Sequence, residues 1–299
     1  MAKVTFIGLG EIGGAIAHVI GLRAKICAWD KDPAKVLGGV RSMEEALSGA
    51  DVVFLCIPSW VIRDVATQAA GYLSPQTIVI SLAKGLEADS LKTMDVVLQE
   101  VLPEYTVGVM GGPLLAEELM ADLPGVGVLG AKKADAFQVL QPLFADSNLR
   151  LEYTNDSTAV AHASVLKNIY AVALGIAEGL GWGWNGKGWL AARGLKEMKE
   201  IMAHLKCDVS VASGTAGAGD FLATALSPDS FNRTTGLSIA KTGECTQPSE
   251  GCRAVASVIS RLGKKDADLP ILFSLDRIIN QHESPKTAFQ NLFASEDAT

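Results

Sequence analysis

A short apolar run, Val4 to Ile7, leads directly into Gly8-Leu9-Gly10-Glu11-Ile12-Gly13, and a helical run, Ala15 to Ile20, follows. A buried strand, a Gly-x-Gly-x-x-Gly turn and a helix, in that order, form the dinucleotide-binding start of a parallel sheet. Gly8 permits the tight turn, Gly10 lets backbone approach a pyrophosphate, and Gly13 lets helix pack on strand. The helix start, at Glu11 and Ile12, offers unpaired N–H groups to an anion. The bare motif is weak in a chain with 30 glycines. Its position between strand and helix gives it force. A second strand, Lys25 to Trp29, ends at Asp30, 22 residues after Gly8. An acid there binds the adenosine ribose hydroxyls, which favours NAD. Lys31 beside it keeps NADP open as an alternative.

Strand and helix signals then alternate. Strands are expected at Asp51 to Ile57, Thr77 to Leu82, Tyr105 to Met110, Gly125 to Gly130 and Leu149 to Tyr153. Helices are expected at Trp60 to Leu73, Ser90 to Val101, Leu114 to Ala121 and Lys132 to Phe144. The pattern predicts an α/β fold, with a Rossmann doubly wound sheet over residues 1–154. After Asp156 strand signals vanish, which predicts an all-helical second domain over residues 155–299. Lys84, the only charge between Val65 and Leu86, follows the carboxyl end of a strand, where ligands of open parallel sheets sit.

The second domain begins with a helix from about Ser157 to Gly181 that is apolar on all faces, so it is expected to be buried. Lys167 is its only permanent charge between Ala159 and Ala177. Such an ammonium either snorkels out or works inside a cavity. His162, on the same helix, reads as a core histidine. Gly179 to Gly188 reads as a Gly- and Trp-rich loop, and Trp189 to Lys206 as an amphipathic helix. Asp220 is the only charge between Val209 and Pro228, and is either a helix cap or a site carboxylate. Glu250 to Leu262 and Pro270 to Asn280 read as closing helices, and the polar tail from Ser295 as disordered. Two isolated lysines and an isolated aspartate beside a nucleotide motif fit hydride transfer to a carbonyl, with a lysine exchanging the proton.

The net charge of −7 argues against non-specific nucleic-acid or anionic-membrane binding. The five cysteines are scattered, and Cys245 and Cys252 have six residues between them with no nearby histidine. No metal site is expected, and reduced thiols in a cytoplasm are the simplest reading. The strand at the N-terminus leaves no room for a signal peptide, and no uninterrupted apolar run suggests a membrane segment.

Together these motifs resemble the NAD(P)-dependent sn-glycerol-3-phosphate dehydrogenase family, of the 6-phosphogluconate dehydrogenase-like superfamily. The resemblance runs nearly end to end. It includes Gly8 to Ala15, Ala83-Lys84-Gly85-Leu86-Glu87, Gly112-Pro113, Leu166-Lys167-Asn168, Gly175 to Gly181, Arg193-Gly194-Leu195, Gly217 to Asp220 and Asn232-Arg233. It implies Lys167 as catalytic acid/base, with Lys84 and Asp220 beside it in the catalytic set. It implies Asn168 and Thr224 as substrate-site residues, Asn232 as a substrate-phosphate ligand, and Glu250 as a contact to the nicotinamide end of the cofactor. The implied partner is a small phosphorylated three-carbon substrate, dihydroxyacetone phosphate or glycerol 3-phosphate, and a homodimer is compatible with the resemblance. Phe231 stands where the family carries an arginine that grips phosphate, and Arg233, Lys241 and Arg253 are candidate substitutes. That departure keeps two alternatives open: a same-fold dehydrogenase of another hydroxy compound, and a non-catalytic nucleotide-binding relative.

Overall fold

A computed structural model describes residues 1–88, 90–263 and 268–294. The expected disordered tail from Ser295 lies outside them. The chain divides into two compact units, Met1–Ala161 and His162–Thr299.

The first unit is a seven-stranded sheet in the order β2-β1-β3-β4-β5-β6-β7. Its strands are β1 (Lys3–Ile7), β2 (Lys25–Trp29), β3 (Val52–Leu55), β4 (Ile78–Ser81), β5 (Thr106–Gly111), β6 (Gly125–Ala131) and β7 (Leu149–Thr154). Helices α1 (Glu11–Ile20), α2 (Met43–Leu47), α3 (Ile62–Ala70), α4 (Met94–Val101), α5 (Ala116–Met120) and α6 (Asp135–Leu140) connect them. β1 pairs in parallel with both β2 and β3, so the strand order reverses at β1. That reversal opens a crevice at the carboxyl end of β1, where the glycine turn lies. β3 and β4 are buried throughout, as strands covered on both faces must be. Phe6 and Phe54 stack at 5.3 Å on neighbouring strands.

Two features depart from simple alternation. β6 runs antiparallel to β5, and β7 is parallel to β6. The helix expected from Ser90 starts only at Met94. Leu91 adopts a left-handed φ of 56°, and Leu86 bridges Thr93, so a tight turn takes the place of the first helical turn.

The second unit takes up the chain inside α7 (Ser157–Gly179) and continues with α8 (Trp184–His204), α9 (Ser210–Ser213), α10 (Asp220–Leu226), α11 (Phe231–Thr242), α12 (Glu250–Leu262), α13 (Pro270–Gln281) and α14 (Pro285–Ala294). Among the described residues α7 is the helix long and apolar enough to cross a membrane, and its apolar window is wholly buried in the protein. The loop expected over Gly179 to Gly188 is largely helix. Trp182 packs edge-on against Phe289 and Phe293, and a Cβ on Gly186 would approach its indole to 3.0 Å. Gly186 therefore serves as a flat seat inside α8 rather than a breaker.

α7 and α11 cross backbone to backbone. A Cβ on Gly175 would meet the Arg233 carbonyl oxygen at 2.3 Å, and one on Gly236 would meet the Val172 oxygen at the same distance. No flexible side chain can yield there. Gly236→Ala is expected to cost about 1–3 kcal/mol, read as a lower urea midpoint. Gly188→Ala, in open space inside α8, should instead raise it by roughly 0.5–1 kcal/mol.

α13 lacks a side-chain cap of its own. The carboxylate of Glu197, on α8 and 4% exposed, accepts the backbone N–H groups of Ile271 and Leu272 and the Tyr170 hydroxyl. Burial outweighs these three donors and pushes the Glu197 pKa up from 4.5 to about 7. A carboxyl whose folded pKa is raised stabilises fully below its unfolded value and loses that contribution as pH rises through the folded one. Stability should therefore fall between pH 4.5 and about 7, and Glu197→Gln should flatten that slope in urea titrations across the range.

Candidate active site

In the first unit the glycine turn is built as the motif requires. Gly8 has φ +90°, and a Cβ there would meet the Cys56 carbonyl oxygen at 2.6 Å. One on Gly13 would meet the Gly8 oxygen at 2.4 Å, so strand and helix touch through bare backbone. A Cβ on Gly10 would meet nothing within 4 Å. Gly10 is the N-cap of α1 and supplies no side-chain cap, so Glu11 and Ile12 begin a helix with its first N–H groups uncapped by any side chain. Asp30 fixes the turn: one carboxylate oxygen accepts the Leu9 N–H at 2.7 Å and the other the Asp32 N–H at 2.9 Å. Open space over Gly10, an uncapped helix start and a fixed acid at the end of β2 fit a dinucleotide. Lys84, half-buried after β4, donates to the Gly112 carbonyl at 3.0 Å. Its loop is tied down by Glu87, which accepts a forked pair of hydrogen bonds from Arg63.

In the second unit Lys167 does not snorkel. Its side chain is 6% exposed, and its ammonium lies 3.0 Å from the Asp220 carboxylate and donates to Thr224 Oγ1 at 2.6 Å. Thr224 Oγ1 in turn donates to Asp220 at 3.3 Å, one turn along α10. Asp220 is thus a buried partner, and the cap position before it belongs to Gly219. A π-helical turn, Thr215–Gly219, delivers Asp220 to that point. A side chain at Gly217 would strike the Ala212 carbonyl at 2.2 Å, which accounts for the small residues preceding this acid.

A second cluster adjoins on α7. Asn168 Oδ1 accepts from Asn232 Nδ2 at 3.0 Å, and Asn232 Oδ1 accepts the Gly251 N–H at 3.0 Å. α7, α11 and the start of α12, where Glu250 sits, are therefore pinned together. Arg233 is not brought to this cluster. It forms a forked ion pair with Glu178 at 2.5 and 3.0 Å, on a separate cavity lined by Leu174, Trp184 and Lys187. Its cation is taken by Glu178. Phe231 is 55% exposed at the first position of α11. His162 is a core residue, with Nδ1 3.7 Å from Cys207 Sγ. Two buried acids have roles that the sequence did not assign: Glu197, which matches the family pattern beside Met198, and Asp95, which accepts the Ser157 and Thr158 hydroxyls at the start of α7. The signal for Glu197 was its place on the apolar side of α8 with Leu190, Gly194 and Ile201.

A buried ammonium stripped of its partner leaves an uncompensated charge. Asp220→Ala should therefore cost about 3–5 kcal/mol of stability in urea unfolding, while Lys167→Met with Asp220→Leu should recover most of it.

The models for the NAD-dependent glycerol-3-phosphate dehydrogenase N-terminus and C-terminus match residues 36–137 and 156–290. Glycerol-3-phosphate dehydrogenase (NAD(P)+) 2 of Sphingopyxis alaskensis is 30% identical over 98% of this chain and 96% of its own. The glycerol-3-phosphate dehydrogenase (NAD(P)+) of Clostridium tetani is 31% identical over 95% and 89%. The fold is that of glycerol-3-phosphate dehydrogenase of Coxiella burnetii, with a TM-score of 0.88 at 23% identity, covering 98% of both chains. With the nucleotide turn, the buried lysine and the full-length match in agreement, this chain belongs to the NAD-dependent glycerol-3-phosphate dehydrogenase family.

Proposed function

We propose that the chain interconverts dihydroxyacetone phosphate and sn-glycerol 3-phosphate, with NAD as the preferred dinucleotide and NADP as the alternative. The observation that carries the reading is the Lys167 ammonium, buried against Asp220 and Thr224 in a helical core. The nicotinamide dinucleotide, when bound, supplies or accepts the hydride. Gly8, Gly10, Gly13 and the α1 N-terminus at Glu11 and Ile12 hold its pyrophosphate, and Asp30 its adenosine ribose. Lys167 gives a proton from Nζ to the substrate's C2 oxygen during reduction and removes it during oxidation. Asp220 and Thr224 aim that amine, since their oxygens take two of its directions. Asn168 and Asn232 offer amide groups to the substrate's hydroxyl and phosphate oxygens, and Glu250 faces the nicotinamide end of the cofactor. Lys84 is assigned to the catalytic set as a second cation, at the carboxyl edge of the sheet. Five free cysteines support a reducing cytoplasm as its location, and a homodimer is compatible with this reading.

A second reading keeps the chemistry and changes the substrate. It is favoured by Arg233, whose guanidinium is held by Glu178, and by the neutral Phe231 before Asn232. Purified protein should oxidise NADH with dihydroxyacetone phosphate; turnover of unphosphorylated dihydroxyacetone alone would select the second reading, and turnover of neither would reject both. Lys167→Ala should lower kcat by about 10²- to 10⁴-fold while leaving NADH affinity unchanged in fluorescence titration.

A further inference from the structure

α10 carries Asp220 and Thr224, which meet the Lys167 ammonium, yet its own sequence gives it few anchors. Leu222 and Leu226 are exposed, and the π-helical turn before it is built of small residues. The large apolar side chain that α10 does bury is Phe221, adjacent to Asp220. Where Phe221 packs therefore decides where Asp220 stands. Phe221 meets Tyr170 edge to face, with ring centroids 6.4 Å apart and planes at 73°. Tyr170 is fully buried on α7, one turn beyond Lys167. Its ring is held at two places. It lies on α8, where a Cβ on Gly194 would come within 3.1 Å of it. Its hydroxyl donates to Glu197 Oε2 at 3.0 Å. Glu197 is fixed in turn by the Ile271 and Leu272 N–H groups at the start of α13.

We propose that Tyr170 is a positioning residue for the reaction. The Glu197 carboxylate holds its hydroxyl, its ring backs Phe221, and Phe221 keeps Asp220 against the Lys167 ammonium. Packing alone would be served by phenylalanine at this position, which brings no polar atom into the core. The hydroxyl adds direction, because its hydrogen bond to a carboxylate is strong and fixes the ring's distance from α8. Edge-to-face contact depends on orientation, so a ring fixed on one side presents a fixed face to Phe221. In a close-packed interior a shift of Phe221 is passed to Asp220, its neighbour in the chain. Turnover is sensitive on that scale, since a misplacement of about 1 Å can cost about 10²-fold. The effect runs through the Lys167–Asp220 pair and leaves Asn168 and Asn232 where they are.

The effect on turnover rests on the proposed dehydrogenase reading; the hold on α10 does not. The test uses full-length Tyr170→Phe, which keeps the ring and removes the hydroxyl. With NADH and dihydroxyacetone phosphate, kcat should fall at least about tenfold, with KM and NADH affinity within about twofold of the parent. In an Asp220→Asn background the same change should leave kcat within about twofold, because the group it acts through is already lost. Hydrogen exchange followed by mass spectrometry should show α10 amides exchanging at least about tenfold faster in Tyr170→Phe, with α12 amides unchanged. This measurement serves where Asp220→Asn misfolds. Unchanged kcat in an active enzyme overturns the positioning role, and so do losses that multiply in the double variant. Unchanged exchange in α10 overturns the hold on Asp220. A parent protein that turns over no substrate defeats the dehydrogenase reading instead, and the exchange of α10 still decides whether Tyr170 holds it.

Discussion

The helical unit depends on one ion pair. An ammonium on a helix that is apolar on every side cannot stay charged there without an acid at contact distance. Asp220 supplies it at 3.0 Å, itself 1% exposed. This single requirement explains local features that look arbitrary on their own. The π-helical turn before α10 is poor in side chains because Gly217 lies on the Ala212 carbonyl. Thr224 follows one turn after Asp220 because a hydroxyl there can accept from the amine and donate to the acid together.

Within each unit, rigidity comes from backbone contacts and from carboxylates that act across elements. Glu197 caps α13 from α8, and Asp30 ties the glycine turn from the end of β2. Asp95 holds the hydroxyls that open α7. Glu197 and Asp30 meet backbone donors of a helix start and a turn that the local sequence leaves unanswered, and Asp95 meets two side-chain hydroxyls. The same physics that makes a helix start attractive to a phosphate is used internally to join one element to the next.

Much of this was legible in the sequence, for identifiable reasons. β2 and α12 were read at their true ends because each carries its own punctuation: Asp30 after one, and Ser249 and left-handed Gly263 around the other. Lys167 and Asp220 stood out as lone charges in apolar stretches. Glu197 did not, because Lys196, Lys199 and Glu200 surround it in sequence while only Glu197 turns inward. Thr224 and Asn232 carry no local signal, and they entered only through the family resemblance. The reversal of β6 was hidden because alternation of strands and helices does not encode strand direction. The start of α8 was hidden because glycines that seat Trp182 look the same as glycines that break a helix.

The crossing of α7 with α11 has a consequence for how such a chain can diversify. Gly175 lies seven residues beyond Asn168, and Gly236 four beyond Asn232. With main chain resting on main chain, the two asparagines are graduations on a pair of rulers clamped at one mark. Mutation can exchange what stands at the marks but cannot slide one ruler along the other. Change along this crossing is therefore confined to the side chains at fixed positions, while the spacing between the two helices stays as the glycines set it.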